Sequence, residues 1–451
     1  MTLPFEKPSR SDIVKMTRLA IPVVVVQVGM MLFGVVDTMV VGRLSSEALA
    51  AVALGHVAVI TISSFGIGVL LGIDPLLNQA LGARDRNAFR RSAQRGLIIA
   101  AVLMIPSTLF LLPIGAILAL LGQPPEVVPL AAAYARISIP GLLPFYGWVV
   151  FRLVLQAMGR LKPIVATVIA VNIFNLVADW ALVFGAGPIP QLGPIGSAWA
   201  TTIARTLLFV VILIVDRKDL WPLIRFERAS MQLRPLIQTA RLGLPIGFNL
   251  QLELFAFSVI ALLMGGMGAT TMAAHQVAIN IASLTFMVPL GISQATAVRV
   301  GKAIGAGDSD GARRAASAGL ILGAGFMTLA AALFIGIPVW LARAYTSVEE
   351  VLFLASTLIP IAGFFQVVDG IQVVAAGVLR GAGDTRAPLV VNILGFWLIG
   401  LPTSLVLGFR LGFGPQGLWW GLVAGLSAVA TFLLARVAFK LRGEIARVNV
   451  D

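Results

Sequence analysis

Five carboxylates lie inside long apolar runs of this chain: Asp37, Asp74, Asp179, Glu253 and Asp369. A charged carboxylate in hydrocarbon costs several kcal/mol unless it is protonated, paired or wetted by a cavity. Desolvation penalises the ionised form, so such a group takes up a proton where it is dry and releases it where water returns. A carboxylate among amide and carbonyl oxygens can instead hold a hard monovalent cation. Either chemistry couples a protein to an ion gradient.

The neighbours of these acids sharpen the reading. Asp369 lies in Gln366-Val-Val-Asp369-Gly-Ile-Gln372, whose i, i+3, i+6 spacing makes a polar stripe on one helix face. Glu253 follows Asn249 by four residues and Gln251 by two in an otherwise apolar segment. Asn172, Asn175 and Asp179 share a face at i, i+3, i+7. We therefore expect cation or proton coupling at Asp37, Asp179, Glu253 and Asp369, supported by Asn172, Asn175, Asn249, Gln366, Gln372 and His275. The competing structural reading is that an acid pairs with arginine or caps a kinked helix. For Asp74, followed by Pro75 near a span end, that structural reading is preferred. His56 and His275 are either proton relays or interhelical hydrogen-bond partners. Arg136, Arg152 and Arg205, within the spans, read as snorkelling or headgroup-binding residues. Phe255, Phe257, Met264, Phe286, Met287, Phe364 and Phe365 suit a lipophilic cargo or simply pack.

The elements that hold these groups belong in lipid. Hydrophobic residues make up 59% and charged residues 12% of the 451, against about 25% charged in soluble domains, and the mean hydropathy is +0.97. The absence of cysteine excludes disulfides and thiolate metal sites. Apolar stretches of spanning length fall near 13–41, 47–72, 93–121, 127–158, 163–186, 194–215, 234–265, 271–297, 314–342, 349–381, 387–409 and 415–440. Pro22, Pro106, Pro140, Pro144, Pro289 and Pro360 are candidate kinks. With both termini cytoplasmic, outer loops hold only Arg43, Arg343 and Arg410, and nearly all remaining Lys and Arg fall inside. The net charge of +13 is thus a topology signal, and nucleic acid is not expected as a partner.

The chain also repeats itself. A shift of 223 residues places Leu19-Ala-Ile-Pro22 on Leu242-Gly-Leu-Pro245, Gly68 on Gly291, and Arg90-Arg91 on Arg313-Arg314 without a gap. Gly193-Pro-Ile-Gly-Ser-Ala-Trp199 is echoed by Gly414-Pro-Gln-Gly-Leu-Trp-Trp420. Each half holds six spans, an even number, so the repeat is parallel. The expected organisation is an N-terminal six-helix bundle over 1–215, a cytoplasmic linker over 216–233 and a C-terminal six-helix bundle over 234–451. Duplicated halves favour a carrier whose bundles rock against each other over a channel, which more often gathers identical subunits. The acids break the symmetry: Ile260 stands opposite Asp37 and Met30 opposite Glu253, so they were not duplicated with the fold. Gly305-Ala-Gly-Asp308 and Gly381-Ala-Gly-Asp384 do not continue as phosphate loops, and no enzyme signature is present.

Taken together, the segments resemble the multidrug and toxic compound extrusion (MATE) family over essentially the whole chain, most closely its NorM-type branch. The carrying residues are Val36-Asp-Thr-Met-Val-Val-Gly42, Leu242-Gly-Leu-Pro-Ile-Gly247 with Glu253, and Met272-Ala-Ala-His-Gln-Val277. Also similar are Phe286-Met-Val-Pro-Leu-Gly-Ile292 with Val298-Arg-Val-Gly301, and Asp369-Gly-Ile-Gln372 followed by Leu379-Arg-Gly-Ala-Gly-Asp-Thr385. The resemblance implies an all-α polytopic membrane protein of about twelve helices in two pseudo-symmetric six-helix bundles, the MATE fold. It implies export of cationic or polyaromatic compounds in exchange for Na+ or H+, with no cofactor. By position Asp37 matches the family's first-span acid, and Glu253 and Asp369 match the NorM-type acids of the second half. Asp179 falls where the DinF-type branch has an acid and the NorM type usually has asparagine.

The expectation is a monomeric multi-pass protein of a bacterial inner membrane, antiporting organic cations and polyaromatic drugs. No metal is expected beyond a monovalent cation at Asp37, Asp179, Glu253 or Asp369. The runner-up is a lipid-linked oligosaccharide flippase of the related superfamily, whose cavities tend to be cationic. A membrane enzyme or gated channel would need clustered catalytic groups or a subunit ring.

Overall fold

The structure, a computed structural model, describes residues 5–188, 190–443 and 445–450. In hydrocarbon every backbone N–H and C=O must be satisfied within its own segment, so apolar runs of this length fold as helices. Among the described residues twelve helices are long and apolar enough to cross a membrane. In chain order they are α1 (Arg10–Val41), α2 (Ser46–Gly82), α3 (Arg86–Leu111), α4 (Val128–Met158), α5 (Leu161–Phe184) and α6 (Pro194–Val215). The second set is α7 (Leu233–Gly266), α8 (Ala269–Gly305), α9 (Ser309–Gly336), α10 (Glu349–Gly381), α11 (Arg386–Arg410) and α12 (Gly414–Lys440). No β-strand is formed among the described residues.

The duplication is visible in the helix ends. Starts at Arg10, Ser46 and Arg86 recur 223 residues later at Leu233, Ala269 and Ser309, and Gly82 recurs as Gly305. The caps recur too: Asp85 accepts from Ala88 N at the start of α3 and Asp308 accepts from Gly311 N at the start of α9.

Two expected spans are shorter in the structure. The stretch 93–121 breaks at Leu112–Pro113, where Pro113 starts a separate short helix, Ile114–Leu120. The stretch 314–342 likewise ends at Gly336, and Pro338 opens the helix Pro338–Arg343. Proline lacks the N–H that would continue the ladder, so it starts a new helix more readily than it sits inside one. In contrast α2 outruns its apolar stretch: a 3-10 turn at Leu71–Ile73 leads into the helical segment Asp74–Gly82. The buried Asp74 opens that segment, the place a helix-capping acid is expected. Helix α11 carries π-helical turns at Ile393–Gly400 and Val406–Arg410 on either side of Pro402, the kind of local adjustment that re-satisfies backbone groups left over by a proline.

Packing divides the chain into two compact units: Met1–Val24, Asn78–Arg84 and Phe248–Asn449 in one, and Val25–Leu77, Asp85–Gly247 and Val450–Asp451 in the other. The first helix of each sequence half is thereby shared between units. Glycine makes this possible. In the unit holding most N-terminal elements, a Cβ on Gly68 would lie 2.5 Å from the Gly247 Cα, so α2 and the start of α7 cross backbone to backbone. In the other unit the equivalent glycine of α8, Gly291, lies against Val24 of α1, where a Cβ would meet Val24 Cγ2 at 2.5 Å. The same unit pins the chain start through Arg299, which donates to Asp12 O at 2.7 Å and pairs with Asp12 Oδ1 at 3.0 Å.

The segment 216–233 is structured. It forms the helix Arg217–Ile224 and a 3-10 turn, Arg228–Met231. Gln94 of α3 donates to Arg225 O at 2.6 Å and accepts from Ser230 Oγ at 2.5 Å, and Arg90 pairs with Glu227 at 3.0 Å. Arg160 pairs with Asp216 and Asp219.

Candidate functional site: two buried acid clusters

One cluster is built on α1, α4, α5 and α6. Asp37 is carried by the last turns of α1 and is buried. Its Oδ2 accepts from Thr201 Oγ1 at 2.8 Å and from the Tyr134 hydroxyl at 3.2 Å; its Oδ1 accepts from Asn175 Nδ2 at 3.3 Å. Three donors from three other helices converge on one carboxylate, which ties the unit together through a charge-assisted network. Asp179, one turn beyond Asn175 on α5, sits against Asp37 and beside Ser197 of α6. Neither Asp179 oxygen lies in hydrogen-bond geometry with a donor. Two carboxyl groups in contact are satisfied when a proton or a small cation lies between them. The arrangement thus has the donors for one carboxylate and an open demand for positive charge at the other.

Of the α5 stripe expected from sequence, the structure brings Asn175 and Asp179 to Asp37. It leaves Asn172 aside: Asn172 Nδ2 returns to Val168 O of its own helix at 2.8 Å. An amide in an apolar helix can satisfy itself on the i−4 carbonyl, so sharing a face did not bring it to the acid.

The second cluster lies on α7, α8, α10 and their neighbours. Glu253 of α7 is half-buried and Asp369 of α10 is buried, and the two carboxyls interact electrostatically. Neither forms an ion pair with a basic side chain among the described residues, and Asp369 Oδ1 has no hydrogen-bond donor. Aromatic rings lie one helical turn from each acid. Phe257, four residues after Glu253, packs edge-on against Phe365 and Phe396 at 5.9 Å each. Phe365, four residues before Asp369, meets Trp419 at 6.0 Å.

The supporting residues take different places. Gln366 spans to α8, donating to Ala282 O at 3.0 Å and to Thr285 Oγ1 at 2.6 Å, so its amide N–H groups tie helices together. Gln372 is buried with Oε1 lacking a donor, and Asn249 Oδ1 likewise lacks one. His275 packs edge-on against Trp419 at 5.6 Å and its Nδ1 has no partner. His56 lies where α2 passes α1: a Cβ on Gly34 would sit 3.0 Å from His56 Nε2. Among the apolar candidates, Met264 and Phe365 are core residues, whereas Phe255 and Phe364 are exposed.

Two intramembrane arginines depart from expectation. Arg152 does not snorkel: it is buried, donates to Gln27 Oε1 at 2.9 Å and lies 5.2 Å over the Trp148 ring. Arg205 also turns inward, 5.2 Å over the Phe145 ring, and interacts electrostatically with Asp37. Of the three, Arg136 is exposed and reaches the end of α3, donating to Leu112 O at 3.0 Å, as a snorkelling residue would.

The sequence reading missed Thr201, Tyr134, Ser197 and Thr285. A signal existed for part of them: Ser197, Thr201 and Arg205 follow one another at i, i+4, i+8 on α6, one face of a helix otherwise nearly free of charge.

The family comparisons agree with this architecture. The MatE family profile matches residues 22–181 and 245–406. The probable multidrug resistance protein NorM of Mesorhizobium japonicum is 36% identical over 440 residues, covering 95% of this chain and 94% of its own. The multidrug resistance protein NorM of Burkholderia vietnamiensis is 35% identical over 440 residues, with 95% and 94% covered. Among solved structures, the eukaryotic MATE transporter AtDTX14 superposes with a TM-score of 0.84 at 23% identity, over 96% of this chain and 98% of its own. A MOP superfamily transporter from Pyrococcus furiosus, for which reverse polarity of the binding pocket suggests a different function, superposes at 0.86 with 21% identity, over 97% and 100%. With its twelve apolar helices and a duplicated MatE match, the chain belongs to the MATE family of transporters, in its NorM type.

Proposed function

We propose that this protein is a secondary active multidrug exporter that antiports cationic and lipophilic organic compounds against H+, Na+ or both by alternating access. The observation that carries the reading is the Glu253–Asp369 pair: two interacting acids in apolar helices, with no arginine to neutralise them. Charge must then come from outside the protein, as a proton, a monovalent cation or a cationic cargo. Competition among these is what couples them, because an ion drives export only through its different affinity for the two access states. Phe257, partly exposed one turn from Glu253, offers a cationic or polyaromatic cargo apolar area and a ring face. Relatives named multidrug resistance proteins support this cargo class.

In this reading Glu253 and Asp369 bind ion and cargo competitively, with Asn249 and Gln372 as unpaired amides nearby in sequence. Asp37, Asp179 and Asn175 form a second cation site, completed by Thr201 and Tyr134. The duplication units are 1–215 and 234–451 joined by 216–233, both termini are cytoplasmic, and the chain works as a monomer without a cofactor in a bacterial inner membrane. A lipid-linked oligosaccharide flippase would call for cationic side chains beside Glu253 and Asp369; the groups described there are acids, amides and aromatics.

The test is resistance to ethidium in a pump-deficient bacterial host. Glu253→Gln and Asp369→Asn, expressed at wild-type level, each abolish the resistance that the intact protein confers. Unchanged resistance would remove the pair from the mechanism.

A further inference from the structure

The first acid cluster has a neighbour that the coupling scheme does not use. Ser197, Thr201 and Arg205 occupy successive turns on one face of α6. Ser197 lies beside Asp179 and Thr201 donates to Asp37 Oδ2 at 2.8 Å. Arg205 therefore stands one turn, about 5.4 Å, beyond the residue that touches Asp37. Its guanidinium does not reach out of the bundle. It lies 5.2 Å over the ring of Phe145 on α4, which fixes it in place, and its Nη1 is buried without a hydrogen-bond partner. It forms no direct ion pair with either acid.

This is the geometry of a charge held at a distance. The groups within electrostatic reach of Arg205 are Asp37 of α1, His56 of α2, and Tyr134 and Tyr146 of α4. Asp179 of α5 lies against Asp37. Of these, only Arg205 carries a permanent charge. A guanidinium in direct contact would neutralise Asp37 outright; one a turn away leaves the carboxylates open while opposing any second positive charge that enters between them. A proton or a metal cation taken up by the cluster adds the same unit of positive charge, so the field of Arg205 opposes either one.

We propose that Arg205 is a tethered counter-cation that lowers the affinity of the Asp37–Asp179 cluster for monovalent metal cations. The proposal rests on the reading of this cluster as a cation site and adds the residue that keeps its hold on the ion weak. Arg205 acts on the ion through the field it sets up and touches no ligand itself, so it tunes affinity by position.

The experiment is equilibrium binding of radioactive Na+ to the purified full-length protein at fixed pH, comparing wild type, D37N, R205M, R205K and R205M/D37N. Deleting one unit charge within about 10 Å, in a medium of effective dielectric constant about 20, raises Na+ affinity roughly tenfold or more. R205M is expected to show that gain, R205K to keep the wild-type affinity, and R205M/D37N to lose the gain. R205Q serves as the second neutral variant where R205M is not monodisperse. Two results overturn the role of Arg205: neutral variants that bind Na+ no more tightly than wild type, or R205K behaving as R205M, which would assign the effect to stacking on Phe145. A gain that persists in R205M/D37N would instead place the Na+ elsewhere and sink the cluster as a cation site. With no gain in the neutral variants, weaker Na+ binding by D37N alone leaves the cluster standing and removes only Arg205.

Discussion

Thr201→Val isolates a single bond at the first acid cluster. Valine matches threonine in shape and deletes only the hydroxyl, whose Oγ1 sits 2.8 Å from Asp37 Oδ2. That contact is the shortest of the three on Asp37; Tyr134 and Asn175 stand at 3.2 and 3.3 Å, and the site is too tightly enclosed for bulk water to replace the donor. A buried hydrogen bond to a charged group contributes about 1.5–3 kcal/mol, and one between neutral groups about 0.5–1.5 kcal/mol. The bond is best measured as a coupling energy from a double-mutant cycle of T201V, D37N and T201V/D37N. Reversible unfolding in mixed micelles supplies the energies, with fluorescence of Trp180, the residue after Asp179, as reporter. A coupling of about 1.5–3 kcal/mol is expected for the bond to an ionised carboxylate, against about half that for a bond between neutral groups. T201S should restore most of it. Strict additivity of T201V and D37N would refute the network.

Further predictions concern the second unit. Gly377→Ala is expected to abolish recovery of monodisperse protein in size-exclusion chromatography, because its Cβ would lie 2.5 Å from both O and Oγ of Ser293 on α8, an overlap that costs about 1–3 kcal/mol or more; a wild-type elution profile and yield would contradict the α8–α10 crossing. Gln366→Leu removes the two bonds to Ala282 O and Thr285 Oγ1, so thermal stability in detergent should drop by about 1–3 kcal/mol while ethidium resistance persists. Loss of resistance at unchanged stability would instead make Gln366 part of the ion site.

Much of this architecture was legible because lipid leaves the chain few options. Apolar runs had to be helices, and the 223-residue shift read from Leu19–Pro22 and Gly68 is the shift that relates the helix starts at Ser46 and Ala269. Composition was blind to where backbone geometry changes inside an apolar run. The break at Pro113 lies inside an apolar run, and the 3-10 turn at Leu71–Ile73 lies at the end of one. The exchange of α1 and α7 between packing units was equally hidden, since it depends on Gly68 and Gly291 meeting particular backbones. At the sites, acids advertised themselves by the cost of burying them. Their hydroxyl partners Thr201 and Tyr134 did not, because a hydroxyl in an apolar helix is cheap and can bond its own backbone, as Thr206 does to Thr202 O. Asn172 shows the converse: correct spacing, wrong partner. The inward turn of Arg205 depended on Phe145 being in reach, which no local pattern reveals.

The central claim is that Glu253 and Asp369, lacking any arginine partner, exchange a coupling ion for cargo. Dye efflux from proteoliposomes, with a pH gradient and a Na+ gradient imposed separately, tests it most directly. The intact protein should export dye under at least one gradient and under neither when both are collapsed, and E253Q/D369N should fail under both. Gradient-driven export by E253Q/D369N at the wild-type rate would contradict the account.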